Sequence, residues 1–280
     1  MMAMMKRMKA LRMLRNKVVL ITGGSSGIGK ELALEAARRG AIVVVCARDL
    51  EKLNQVAQQC LILSGRPSFA YQLDVTDPDR VDEVLNTIRH EVGEIDVLVN
   101  AAGLGDFTAV KSQSRTVMKR MVDVDLLALM YLSRCVAKQM MDQGFGAIIN
   151  LGSLDGKIPT PNAAAYSATK AGVIQFDNIL RMEVADYGVQ VLTVNPGPVA
   201  TSFFDKADPD GSYLSKLPRW MIVQPAELAK QVWAHVGYET REINVPGWTS
   251  WLSWGYQVWP GLGDWAIKKF FDYQQDKRSL

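Results

Sequence analysis

Between residues 17 and 246 short β-branched runs alternate with longer helical stretches, and that rhythm leaves few folds open. The runs are Val18-Val19-Leu20-Ile21, Ile42-Val43-Val44-Val45, Phe69 to Leu73, Val97-Leu98-Val99, Ala147 to Leu151, Val189 to Val194 and Ile243-Asn244-Val245. Most are continuously apolar rather than alternating, which describes strands covered on both faces and therefore parallel. Helical stretches fill residues 28 to 39, 50 to 63, 79 to 92, 114 to 143, 164 to 187 and 225 to 237. Asp49 and Asp77-Pro78 supply N-terminal signals for two of them. The expected fold is α/β, a doubly wound Rossmann-type parallel sheet of about seven strands with helices on both faces.

Such a sheet needs one large core, and 280 residues with 48% apolar content can build it. The expected division is a basic N-terminal extension over 1–16, the sheet domain over 17–246 and a Trp-rich C-terminal extension over 247–280. Lys plus Arg exceed Asp plus Glu by only 32 to 29, too even a balance for a nucleic-acid binder. Cys46, Cys60 and Cys135 are odd in number and lack a C-x-x-C spacing, and His90 and His235 stand alone. Neither a disulfide framework nor a metal site is expected, and a reducing cytoplasm fits. Residues 1–15 carry five basic side chains without the apolar run of a secretory signal. They read as a frayed terminus or as an amphipathic helix on an anionic surface.

The first strand runs into Thr22-Gly23-Gly24-Ser25-Ser26-Gly27-Ile28-Gly29, followed at once by a helical stretch. Glycines at 23, 27 and 29 allow a tight turn, close backbone approach to a pyrophosphate and close helix packing, with the helix N-terminus facing the anion. About 20 residues on, an acid would bind the ribose 2′-hydroxyl of NAD(H). The second strand ends instead in Cys46-Ala47-Arg48, and the Arg48 guanidinium suits the 2′-phosphate of NADP(H). Asp49 is the competing acid, although a helix cap explains it better.

Tyr166 and Lys170 stand at i and i+4 on one helix face, which brings an ammonium near a phenol. A cation there favours the phenolate, so Tyr166 can exchange a proton with an alcohol or carbonyl oxygen that Ser153 holds. Together these motifs resemble the short-chain dehydrogenase/reductase family in its single-domain form, over residues 17 to about 246. The resemblance rests on the glycine motif, on Asp74 in Leu73-Asp74-Val75-Thr76-Asp77, and on Asn100-Ala101-Ala102-Gly103. It continues through Ser153, Tyr166 and Lys170 to Asn195-Pro196-Gly197-Pro198-Val199-Ala200-Thr201.

That resemblance implies catalysis by Ser153, Tyr166 and Lys170. It implies a cofactor surface of Gly23, Ser25, Ser26, Gly27, Ile28, Gly29, Arg48, Asp74, Val75, Asn100, Ala101, Gly103, Tyr166, Lys170, Pro196, Gly197, Val199 and Thr201. Asp74 would touch adenine or merely cap its turn. Asn100 would steady the cofactor-side loop or only tie loops together, Lys170 would grip the nicotinamide ribose, and Val199 and Thr201 would address the carboxamide. The chain departs from the family at Asp125, which aligns with an asparagine that anchors a water in a proton relay to the lysine. An ionised Asp125 could accept but not donate, and it would offset part of the lysine's pull on Tyr166.

The expected activity is NADP(H)-dependent interconversion of a small-molecule carbonyl and its alcohol, by a homodimer or homotetramer. Loops at 104–112, 154–163 and 202–224 would set the substrate, and the apolar 202–224 segment, readable as a helical lid, suggests an apolar or lipid-like one. Residues 243–263 hold no charge and four of the seven tryptophans. They are suited to a partner subunit, to covering the pocket, or to a lipid interface, so peripheral membrane contact stays open. Two other functions compete: a nucleotide-binding scaffold that has lost turnover through Asp125, and a membrane-surface adaptor. Intact Ser153, Tyr166 and Lys170 speak against the scaffold.

Overall fold

The computed structural model describes residues 8–209, 211 and 213–276. Seven strands form one parallel sheet: β1 (Val18–Thr22), β2 (Ile42–Ala47), β3 (Ser68–Gln72), β4 (Val97–Asn100), β5 (Gly146–Leu151), β6 (Val189–Pro196) and β7 (Glu242–Val245), in the order β3-β2-β1-β4-β5-β6-β7. Every residue of β1, β4, β5 and β6 is buried, as continuous apolar runs require. Successive residues serve opposite faces. Val19, Ile21, Val43 and Val45 pack on α1 (Gly27–Arg38), α2 (Leu50–Ser64) and a later helix over Pro225–Ala234, while Val18, Leu20 and Val44 pack on α3 (Pro78–Glu91) and the helices that precede and follow β5.

The helix before β5, α4, runs as Arg115–Met121, a π-helical segment Val122–Leu127 and then Ala128–Gln143. The helix after β5, α5, covers Ala164–Val184. Asp49 and Asp77 cap α2 and α3, accepting from the N–H groups of Lys52 at 3.1 Å and Arg80 at 3.0 Å. The chain reverses sheet direction between β1 and β4, so the carboxyl ends of these two strands open the crevice where such folds bind nucleotides.

Residues 202–224 form less helix than expected: α6 (Phe204–Ala207) and two single turns, Leu214–Lys216 and Arg219–Met221. Pro209 and Pro218, which lack a donor, together with Gly211 at φ +65°, break the segment. Residues 210 and 212 of this segment lie outside the described residues, as do 1–7 and 277–280 at the two ends. After α7 (Pro225–Ala234) and β7, the C-terminal extension folds into α8 (Thr249–Val258) and α9 (Pro260–Asp276). At the other end Leu11 and Leu14 are buried in the core, and Arg12 lies 3.9 Å over the ring of Tyr238.

Candidate active site

The loop after β1 approaches the chain after β4 so closely that only glycine fits. At Gly23 (φ +67°) a Cβ would sit 2.6 Å from the Ala101 carbonyl oxygen, and at Gly29 one would sit 2.4 Å from that of Gly23. Ser25 and Ser26 complete the turn, and Gly27, Ile28 and Gly29 open α1, with Ser26 at the N-cap. The first N–H groups of a helix lack intrahelical partners, so the cradle fits a pyrophosphate. Thr201 lies over it, its Cβ 3.4 Å from where a Gly27 side chain would begin. Pro196 and Gly197 end β6, the Gly197 N–H donates to Val245 at 2.7 Å, and Val199 bridges to Val223, which carries this segment across to the glycine loop.

Arg48 is exposed at the carboxyl end of β2, near Asp74 and Val75 beyond β3. Asp74 accepts from the Thr76 N–H at 3.0 Å and hydroxyl at 2.7 Å. Burial opposes its ionisation, yet these bonds and the Arg48 and Arg120 charges hold its carboxyl below the usual range. Asn100 stands opposite Asn150 in register, and its amide donates inward to Ser133 at 3.0 Å and Asn150 at 2.8 Å. Asn150 passes the chain of bonds to Asp177 at 2.5 Å, which also accepts from Thr193 at 2.7 Å. This network braces the sheet beneath the crevice, while the Ala101 N–H is held by Thr22 at 3.2 Å.

On α5, Tyr166 and Lys170 share a face, and both are buried. Lys170 Nζ lies 5.6 Å from the Tyr166 ring centroid and donates to the Leu151 carbonyl at 2.9 Å. It also faces Asp125 Oδ2 across 3.5 Å. Asp125 lies in the π-helical segment, is fully buried, and accepts from the Leu104 N–H at 2.8 Å; a Cβ on Gly103 would lie 3.6 Å from its Oδ2. Such segments often mark functional sites. Burial pushes Asp125 up to about 6, against the pull of Lys170 and Leu104.

Ser153 caps the turn Leu154–Gly156, accepting from the Asp155 N–H at 3.1 Å. The Asp155 carboxylate accepts from the Thr160 hydroxyl, and burial pushes it up to about 6 against that bond. Burial first, then the Asp155 and Asp125 charges, push the Tyr166 phenol well above 10, while contact with Ser153 draws it the other way. The phenol is therefore not acidified as the Tyr166–Lys170 spacing alone suggested. Burial and two carboxylates oppose its ionisation, and the ammonium beside it is already engaged by Asp125 and the Leu151 carbonyl.

Aromatic rings wall the space beside Tyr166. Phe107 and Phe203 lie 5.7 and 5.8 Å from it, and Tyr213 stacks on Phe107 at 4.7 Å. Asp155, Thr160 and Phe107 carry no residue-level signal in the sequence. The sequence marks them only through the loops 104–112 and 154–163 in which they lie.

The short chain dehydrogenase family model matches residues 17–211, so the chain belongs to the short-chain dehydrogenase/reductase family. An uncharacterized oxidoreductase of Staphylococcus saprophyticus is 34% identical over 232 residues, 83% of this chain and 97% of that protein. The 3-oxoacyl-[acyl-carrier-protein] reductase of Vibrio cholerae is 34% identical over 221 residues, 78% of this chain and 89% of the other. Among solved structures, a Mycobacterium marinum short-chain dehydrogenase/reductase superposes with a TM-score of 0.78 at 31% identity, covering 85% of this chain and 97% of that one. A variant of actinorhodin polyketide ketoreductase with NADPH gives 0.75 at 29% identity, covering 84% and 97%.

Proposed function

We propose that this oxidoreductase uses NADP(H) to reduce an apolar ketone or aldehyde to its alcohol, with Tyr166 as proton donor. The observation that carries the reading is the convergence of Ser153, Tyr166 and Lys170 beside a cluster of aromatic rings, in a chain whose first βα turn is a glycine cradle. When bound at the glycine cradle, reduced nicotinamide would supply the hydride that the carbonyl carbon accepts. Tyr166 gives its proton to the carbonyl oxygen, which Ser153 orients, and the alcohol leaves as the nucleotide is oxidised. A phenol raised above its ordinary range carries, at neutral pH, the proton that reduction would require. Lys170 would hold the nicotinamide ribose, and Asp125 tunes Lys170 through their buried pair.

Exposed Arg48 supports NADP(H), because a guanidinium at the end of β2 can meet a 2′-phosphate while Asp49 is engaged in its helix cap. Phe107, Phe203, Phe204 and Tyr213 support an apolar, lipid-like substrate. Exposed Val122 and Leu127 on α4 and Ile179 and Met182 on α5 support assembly into a homodimer or homotetramer. The free thiols of Cys46 and Cys60, raised to about 12 by burial, are inert and suit a reducing cytoplasm.

The test is consumption of NADPH and NADH across ketones and aldehydes of increasing chain length. Faster turnover with NADPH and longer chains is expected. Nucleotide binding without turnover of any carbonyl would overturn the reading in favour of a scaffold.

A further inference from the structure

We propose that the tryptophan-rich face of α8 and α9, with Trp220 of the lid, is a docking surface for a phospholipid bilayer at the mouth of the substrate pocket. Trp251 is 77% exposed, Trp220 69% and Trp259 60%, with Trp254, Leu262 and Trp265 also exposed beside them. Two pairs of them are in ring contact: Trp220 and Trp248 lie 5.6 Å apart between ring centroids, and Trp254 and Trp259 6.5 Å. Soluble monomers rarely leave so many large rings uncovered in one place.

The chemistry of these rings selects the occupant. The buried Trp233 donates its indole N–H to the Leu32 carbonyl at 3.0 Å. No exposed indole has such an acceptor among the described residues. A protein partner would have to supply a matched acceptor for each N–H it buried. The headgroup layer of a bilayer offers phosphate, ester carbonyl and water oxygens without matching, which is why tryptophan collects at membrane interfaces.

Charge agrees with that occupant. No charged residue lies between Glu242 and Asp264, and exposed Arg219, Lys268 and Lys269 flank the rings, with Lys269 Nζ 5.0 Å from the Trp265 centroid. Asp264 is engaged by the Tyr256 hydroxyl at 3.0 Å. Cations at the rim of an apolar face suit anionic headgroups. No helix among the described residues is long and apolar enough to cross a membrane, so the face would lie on the surface.

The helix that carries part of this face also reaches the aromatic rings beside Tyr166. Phe271 of α9 stacks on Tyr213 at 6.1 Å, Tyr213 on Phe107 at 4.7 Å, and Phe107 contacts Tyr166 at 5.7 Å. Docking would set the aromatic wall of the pocket at the depth from which an amphiphile leaves the bilayer.

The experiment is sedimentation of the full chain with phosphatidylcholine vesicles, with and without phosphatidylglycerol, together with quenching of tryptophan emission by brominated acyl chains. The intact chain should co-sediment, more so with phosphatidylglycerol, and be quenched. Combining Trp251→Ser, Trp254→Ser and Trp259→Ser should weaken binding by about tenfold or more, with turnover of a water-soluble ketone unchanged. Trp251→Ser alone, at the most exposed position, should give a smaller loss in the same direction if the triple variant folds poorly. Absence of vesicle binding, equal binding by all three forms, or loss of self-association in the triple variant without vesicle binding would each overturn the proposal. Vesicle binding is read without turnover, so its failure leaves the reductase reading standing, and failed turnover leaves this one standing.

Discussion

Replacing Asp125 by Asn tests how the buried ion pair sets the acidity of Tyr166. Asp125 Oδ2 lies 3.5 Å from Lys170 Nζ, and Nζ lies 5.6 Å from the Tyr166 ring centroid. Those two legs put the carboxylate no farther than about 9 Å from the ring. At ~9 Å and an effective dielectric constant of ~20, a unit charge is worth about 2 kcal/mol, a little over one pH unit of phenol acidity. Burial pushes Asp125 up to about 6, so the charge is present at neutral and alkaline pH. Asparagine keeps an oxygen for the Leu104 N–H and removes the charge. The Asp125→Asn enzyme should therefore be at least as fast in alcohol oxidation at neutral pH, with its alkaline limb about one pH unit lower. The assay is the oxidation rate against pH for both forms at saturating NADP. An unmoved limb would refute the electrostatic coupling, and a large loss of rate in the variant would mean that the carboxylate itself is required.

Tyr166→Phe should lower turnover by about 10²-fold or more while leaving NADPH affinity within a few fold, since the phenolic proton serves only the chemistry; a rate near wild type would remove Tyr166 from the reaction. Arg48→Leu should weaken NADPH binding by about 2 kcal/mol, the worth of a charge-assisted contact, and leave NADH binding nearly unchanged. Equal losses in titrations with both nucleotides would make Arg48 structural. Asp177, fully buried in the Asn150–Thr193 network, is pushed by burial from 3.8 up to about 6. The folded chain then holds a proton that the unfolded chain has released, so this group's contribution to stability falls as pH rises from about 4 to about 6 and is level above. Asp177→Asn should flatten that part of the urea-midpoint profile, and parallel profiles for the two forms would refute the assignment.

All seven strands and the six long helices α1 to α5 and α7 were legible because each depends on a local pattern: an unbroken apolar run, an aspartate cap, a glycine turn. The crevice followed from the same patterns, since Gly23 and Ala101 each end a strand whose place in the sheet is fixed by the fold class. The 202–224 segment, readable as a helical lid, forms only α6 and two single turns, because Pro209, Gly211 and Pro218 interrupt it. The burial of Asp125 was also hidden. It depends on a π-helical segment whose composition is that of any helix, and on Leu104, which comes 21 residues earlier in the chain. The inward turn of Asn100 required the register with Asn150, and Asp155 required the turn after Ser153. Phe107 and Tyr213 meet across more than one hundred residues, a separation no local pattern reports.

These hidden contacts change the chemistry more than they change the fold. With the spacing of Tyr166 and Lys170 alone, the lysine should acidify the phenol and favour removal of a proton from an alcohol. In the folded chain Lys170 already faces Asp125, and Asp155 adds a second negative charge beside Tyr166. Both carboxylates are pushed up to about 6, so above that pH each carries its charge and each raises the work of ionising Tyr166. The tyrosine therefore keeps its proton across the neutral range, in keeping with the proposed reduction. Asp125 and Asp155 reach the phenol from different elements, α4 and the turn after β5, so removing either charge should leave the other acting. The alkaline shift in Asp125→Asn should accordingly be partial, and further lowering on also replacing Asp155 is what two independent electrostatic contributions require.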